Sequence, residues 1–543
     1  MKIQEKLTQF DLLLAQPQLA LESVTDWLAD LPLSPPLFTC KLLHKAMARL
    51  MVFGLTPSLA CGLFNLLHRT LQQLGQQHSR DNLLHVLANY AENQRVSLYL
   101  DCVQIKFAKN CLNLLMSRDE NLTRTEKALL VHRAMSELGL VLVRRAQLYL
   151  SAPKGLWLKL HDLYRYAASQ QLLSEKITEV SFYGVTNTSI IQLYKRILIL
   201  GLANLEQLQQ QDIERLYILA IDWADKLHLV AHQPQPYRVY FDQDRPPLFQ
   251  AVNEQSMGQI CCYLQLTELV AHLQQLLTQQ QVSKAKINQG LAHHVLSSLL
   301  QLWMNRPGRR LARQVETGQV EVCIGIAAVH YMVNQQHDLV TGTHGQLNLA
   351  MDNLKIQAQV KSEVFIPGAL NNLQEENDVW RLEYMGATSN EEMNFNFSAD
   401  IYKSYFWQVV NSSAKGYCFA MMDKPPELLQ VGKIIGIRVV ANWYVGTIRW
   451  LAFNSAIGCL QAGIELLGPK ARGVALKTKS QQQWFHGLFL AELQQPSSLI
   501  TPALIYAVGD ELEVRTLEAQ YQIRLTKLLA QNHNFAQFEF SLG

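Results

Sequence analysis

The sequence contains no C-x-x-C pair. Its nine cysteines stand at 40, 61, 102, 111, 261, 262, 323, 418 and 459. That odd number, at those spacings, fits neither a zinc ribbon nor a disulfide framework. The cysteines read as small, reduced hydrophobes of a cytoplasmic protein. G-x-x-x-x-G-K-[ST], H-E-x-x-H and G-x-S-x-G are also missing, which removes the commonest NTPase, metalloprotease and hydrolase readings. His293 and His294 are adjacent on an expected helix and so face different ways, whereas a helical metal pair needs a spacing of three or four. Charge of one sign is scarce as well. Lys and Arg number 48 against 45 Asp and Glu, a net +3, and this gives no reason to expect DNA as a partner. Met1-Lys2-Ile3-Gln4-Glu5-Lys6 leads into no apolar run with a cleavage site, so no signal peptide is expected. The best candidate for a membrane span, Leu50 to Leu67, is interrupted by Gly54, Pro57, Gly62 and Asn65; it reads as two buried helices broken at Pro57. No fixed-period repeat is present.

What is present is globular. Hydrophobic residues make up 49% and charged residues 17% of 543 positions, enough for two or three domains. Residues 1 to about 232 read as helical throughout, with Leu156, Leu160, Leu163 and Ala167 at helical spacing. Thr123-Arg124-Thr125-Glu126 and Asn187-Thr188-Ser189 offer N-caps. Prolines 234, 236, 246 and 247 bracket a short possible strand, Tyr237 to Phe241. Helical patterning resumes from Glu254 to Trp303. After Arg313 the period becomes two: Val320, Val322, Ile324 and Ile326, then Ile435, Ile437 and Val439, then Ile448 and Trp450, then Leu460, Ala462, Ile464 and Leu466. Short alternating strands of this kind predict an antiparallel barrel or sandwich. Residues 335 to about 404 interrupt it, polar and locally acidic at Glu375-Glu376 and Glu391-Glu392, with apolar pieces such as Val364-Phe365-Ile366. They read as a partly mobile insertion. The tail from Trp484 mixes strand-like pieces (Leu504 to Val508, Leu512 to Val514, Phe538 to Phe540) with a possible short helix at Ile523 to Gln531.

Two short motifs carry the functional signal. Asn305-Arg306-Pro307-Gly308-Arg309-Arg310-Leu311-Ala312-Arg313 runs into a strand, with Arg309 and Arg313 spaced R-x-x-x-R. The guanidinium fork matches phosphate oxygens and the O6/N7 edge of guanine. A solvated basic linker is the plain alternative. Asn411-Ser412-Ser413-Ala414-Lys415-Gly416 follows another strand and spells N-x-S-x-x-G. Its short side chains can read a base edge or phosphate, and its glycine permits close backbone approach. An ordinary strand-ending turn is the plain alternative here.

The order arginine motif, strands, N-x-S-x-x-G, strand, then a late strand pair resembles the PilZ domain, a bacterial receptor module for cyclic di-GMP. Val445-Gly446-Thr447-Ile448-Arg449-Trp450 and Gln461-Ala462-Gly463-Ile464-Glu465-Leu466 resemble that family's closing strands. The resemblance implies that Arg309 and Arg313, with Arg306 and Arg310 as an alternative register, grip the ligand, and that Asn411, Ser413 and Gly416 line the same pocket. The insertion is a departure from the family's short connection. The helical region is similar, loosely, to N-terminal regions of larger proteobacterial PilZ proteins. The expected fold is α+β and multidomain: a helical domain (1–232), a proline-rich connector with helices (233–304), a PilZ-like antiparallel β-barrel (305–480) with an insertion at 335–404, and a β-rich C-terminal extension (481–543). The expected function is that of a cytoplasmic, non-catalytic cyclic di-GMP receptor, with no cofactor, no metal site and no transmembrane segment. A protein partner is expected through the helical region, in control of motility, pili or biofilm. The rival is a scaffold or adaptor whose barrel binds protein and no nucleotide.

Overall fold

A computed structural model describes residues 3–16, 21–34, 36–50, 53, 55–82, 90–118, 121–181, 184–231, 233–250, 261–282, 291–304, 313–342, 402–440, 442–468, 470–491 and 497–542. The chain forms two compact units, 1–307 and 308–543.

The first unit is helical at its start: α1 (Ile3–Leu14), α2 (Leu21–Ala29), α3 (Pro36–Leu50), α4 (Pro57–Asn82), α5 (Tyr90–Arg118), α6 (Arg124–Gln147) and α7 (Leu156–Ser169). The apolar run from Leu50 divides as expected, with Pro57 at the first position of α4, where its missing N–H costs nothing. Among the described residues no helix is long and apolar enough to cross a membrane. Thr123 caps α6 in a reciprocal pair with Glu126, as anticipated. α6 is buried around its circumference, from Ala128 to Ala146, and is the central helix of this unit.

The expectation of helix throughout 1–232 fails at the strand His228–Val230 and at β1 (Lys176–Ser181) and β2 (Gly184–Ser189), which pair from Lys176↔Ser189 to Ser181↔Gly184. Ile177, Thr178, Val180, Val185, Thr186 and Thr188 are β-branched and favour the pleated backbone. Ser189 then ends the hairpin and caps α8 (Ile190–Leu202) through Gln192. α9 (Gln210–Trp223) follows, then β3 (His228–Val230), β4 (Tyr237–Tyr240), β5 (Leu248–Phe249) and β6 (Cys261–Gln265), in the sheet order β3-β6-β4-β5. β4 is the strand expected between the prolines. β6 corrects the expectation of helix from Glu254: buried Cys262 and Leu264 alternate with half-buried Cys261, Tyr263 and Gln265, which is a period of two. α10 (Thr267–Val282) and α11 (His293–Met304) restore the helical pattern.

The second unit contains two barrels. The first uses β7 (Gln314–Val315), β8 (Gln319–Ile324), β9 (Ser404–Ser413), β10 (Gly416–Met421), β11 (Ile434–Val439), β12 (Asn442–Asn454) and β13 (Cys459–Gly468). Their order is β10-β13-β12-β11-β8-β9-β7, and a further β10–β9 pairing closes the sheet. Every pairing is antiparallel. The alternation expected through Ile326 stops at Gly325, whose φ of 100° favours glycine; Ile326 opens α12 (Ile326–Val333). Of the expected insertion, residues 343–401, with Val364-Phe365-Ile366, lie outside the described residues.

The second barrel closes in the order β14-β15-β16-β19-β18-β17, from β14 (Lys470–Thr478), β15 (Phe485–Ala491), β16 (Ser498–Pro502), β17 (Glu511–Arg515), β18 (Gln520–Gln531) and β19 (Phe535–Leu542). β14 had been expected in the first barrel. It belongs to the second because its partners are β15 and β17. The helix expected at Ile523 to Gln531 is strand β18. Buried Ile523 and Leu525 alternate, but register shifts at Leu525/Lys527 and Leu528/Ala530 break the pattern and imitate helical spacing. Leu504 to Val508, expected as a strand, is turn and loop, with Leu504 at φ 62°.

The two barrels share a core: Cys323, Ala328, Val329, Ile434 and Val445 pack with Leu488, Leu490, Ile500 and Phe535. Asn334, at the end of α12, adds a polar clasp. Its Nδ2 donates to the Gly473 carbonyl (3.1 Å) and its Oδ1 accepts from the Gly473 N–H (3.0 Å). A Cβ on Gly473 would lie 2.8 Å from the His330 carbonyl oxygen, a backbone atom that cannot rotate away. Gly473→Ala is therefore expected to cost about 1–3 kcal/mol in urea unfolding, and an unchanged midpoint would contradict this packing.

Candidate functional site

The β9–β10 hairpin turns through Ala414 and Lys415, between the paired residues Ser413 and Gly416. This is the N-x-S-x-x-G segment. Ser413 Oγ donates to the Gly416 carbonyl at 3.3 Å. The Lys415 carbonyl accepts from Leu466 N–H at 2.9 Å, which ties the turn to β13. On that side Gly416 faces Glu465 and Tyr417 faces Ile464. A Cβ on Gly416 would overlap the Ile464 backbone oxygen. The motif's glycine is thus required by strand packing.

Arg313 enters from the other edge of β9. Gln314 pairs with Ser412 and Val315 with Asn411, so Arg313 stands level with Ser413 at the hairpin's end. Its side chain is exposed, and it makes no ion pair among the described residues. Burial raises the Cys418 thiol pKa, and the positive charge of Arg313 opposes that rise.

A third contribution comes from β12 and β13. Ile448 pairs with Ile464 and Trp450 with Gly463, which leaves Arg449 as the extra residue of a bulge. Arg449 Nε lies 3.0 Å from Glu465 Oε2, with both side chains largely exposed, so this pair contributes little to stability. A Cβ on Gly463 would overlap the Trp450 indole; glycine there lets the ring lie across β13.

These pieces line one open cleft: Arg313, Asn411, Ser413, Lys415, Gly416, Tyr417, Arg449, Trp450, Gly463, Ile464 and Glu465. It brings together every sequence-predicted site residue that the structure describes. Arg306, Arg309 and Arg310 lie outside the described residues. Lys415, Tyr417, Arg449 and Trp450 were not assigned to the site from sequence. Lys415 sits inside the N-x-S-x-x-G segment and Arg449-Trp450 inside a strand already likened to PilZ, but only the strand register brings them to the hairpin. Three cations and one carboxylate leave the cleft net positive. Tyr417 and Trp450 add flat faces, with Tyr417 stacked on Phe419 at a centroid distance of 5.5 Å. Burial first, then the Glu316 carboxylate, raises the Tyr417 pKa and keeps it a neutral phenol. Chemically, the cleft can hold an anion against arginine and stack a planar ring.

Three models from one family match the chain. The N-terminal domain of the cyclic-di-GMP receptor FimW matches residues 22–235, its middle PilZ domain 237–473 and its C-terminal β-barrel domain 471–542. The chain belongs to the PilZ-domain cyclic di-GMP receptor family. The PilZ match contains the whole first barrel and its cleft, and the C-terminal match begins within β14, where the second barrel begins. This is a family of receptors, which bind and do not catalyse. A curated relative, the cyclic-di-GMP receptor FimW of Pseudomonas aeruginosa, is 26% identical over 436 residues, covering 76% of this chain and 71% of that protein. No solved structure matches the chain.

Proposed function

We propose that this chain is a cyclic di-GMP receptor and that the cleft at the β9–β10 hairpin is its ligand site. The observation that carries this reading is convergence: Arg313, 98 residues before Asn411 in sequence, lines one net-positive cleft with Asn411, Ser413 and two aromatic rings. In this reading Arg313 grips a phosphate or the guanine edge with its fork, Asn411 and Ser413 supply short polar contacts, and Tyr417 and Trp450 offer faces to guanine. Arg309 completes the arginine pair, with Arg306 and Arg310 as the alternative register. The ligand is bound and returned unchanged. Calorimetry of the full chain with cyclic di-GMP, followed by chromatography of the recovered nucleotide, tests this. Saturable binding with intact ligand is expected. Absence of binding, or a hydrolysed product, would refute the reading.

The output is assigned to the helical unit, acting on a protein partner in the cytoplasm, in control of motility, pili or biofilm. Family resemblance and chain connectivity support this assignment. α11 ends at Met304, two residues before Arg306, so a ligand that draws the arginines inward also acts on the end of that helix. Such a ligand shifts an equilibrium only through differential affinity for two arrangements. Hydrogen exchange with and without cyclic di-GMP is expected to change in α10 and α11 as well as in the barrel. Changes confined to the barrel would remove the coupling and leave the receptor intact.

A further inference from the structure

We propose that His330, Asp338 and His486 form a binding site for one divalent transition-metal ion of the zinc class, at the seam between the two barrels. Each residue offers one ligand atom, and these atoms all lie within 4.8 Å of one another. A tetrahedral ion with bonds of about 2.1 Å needs ligand atoms about 3.4 Å apart, so a small inward movement closes the set. His486 Nε2 already lies 3.0 and 3.2 Å from the two Asp338 oxygens, where an ion can replace the shared proton. The imidazole rings of His330 and His486 have their centroids 4.9 Å apart.

Burial supplies a second, independent observation. His330 is 0% exposed, yet its Nδ1 has no hydrogen-bond partner among the described residues. An unpaired buried imidazole nitrogen is costly, and coordination is one way to satisfy it. Two imidazoles with one carboxylate suit zinc and its neighbours, whereas magnesium and calcium favour all-oxygen sets.

The surroundings fit a ligand set. Tyr402 donates its hydroxyl to Asp338 Oδ2, and the backbone N–H groups of Val340 (2.8 Å) and Thr341 (3.3 Å) donate to Oδ1. Such outer contacts orient a ligating carboxylate. A solvent molecule completes the tetrahedron. The ion would tie α12 of the first barrel to β15 of the second.

The test uses the full chain, stripped with a chelator and titrated with Co²⁺, then Zn²⁺. One equivalent of Co²⁺ should produce the visible absorption of a tetrahedral site, and Zn²⁺ should bleach it and raise the thermal midpoint by several degrees. His486→Ala, at a part-exposed position, and Asp338→Asn, which keeps the volume, should each abolish the absorption and the thermal shift. No absorption in the parent, or undiminished absorption in His486→Ala, would overturn the proposal. Neither readout involves cyclic di-GMP, so this site and the receptor reading can fail separately.

Discussion

Replacing Arg313 by alanine should weaken cyclic di-GMP binding at least tenfold and leave the thermal midpoint where it was. The side chain is exposed and makes no ion pair among the described residues, so its removal takes away little that holds the barrel together. Towards a doubly anionic ligand it presents two parallel donors. Hydrogen bonds to charged groups contribute about 1.5–3 kcal/mol each, and about 1.4 kcal/mol is a tenfold change in affinity. Arg313→Lys should recover only part of the loss, because an ammonium keeps the charge and gives up the fork. Calorimetry and thermal unfolding on the same preparations separate binding from folding. Parental affinity in Arg313→Ala would remove this residue from the site.

Gly416→Val should have the largest effect on the protein itself. Here β10 is wedged between β9 and β13, and a Cβ would overlap the Ile464 backbone oxygen. Neither strand can yield without opening the barrel. The expected cost is about 3 kcal/mol or more in chemical denaturation, with nucleotide binding lost in parallel. Ser413→Ala makes the contrast. It removes one hydroxyl bonded to the Gly416 carbonyl, worth about 1 kcal/mol, and leaves the strands in place. A Gly416→Val protein with an unchanged unfolding midpoint would contradict the β10–β13 packing.

The residues that sequence reading placed in the cleft share a local signature: a glycine, a short polar residue or an arginine fork at a strand end. Arg313, Asn411, Ser413 and Gly416 meet this description. Trp450 and Arg449 do not. They lie well inside a strand, and only the bulge at Arg449 and the Trp450↔Gly463 pairing turn them towards the hairpin; those are properties of register between distant segments. Fold errors had the same source. The β1–β2 hairpin and β6 were hidden among strong helices, where a five- or six-residue period of two is short. In β18, two bulges spoiled the alternation that should have announced a strand. Where alternation was clean, as in β11 and β13, the strands stand where periodicity put them. The closure of the C-terminal region into a barrel was not legible, because closure depends on β14 pairing with β17.

The core shared between the barrels has a consequence for the protein as it is being made. Cys323, Ala328, Val329, Ile434 and Val445 are covered by Leu488, Leu490, Ile500 and Phe535, the last of which opens β19. A nascent chain that has just completed β13 carries every cleft residue and still lacks the cover for its own interior. That cover is complete only once β19 has joined β16 and β18. A chain cut after β13 is therefore expected to keep every described cleft residue on a barrel stripped of part of its apolar cover, and to unfold more readily than the full chain.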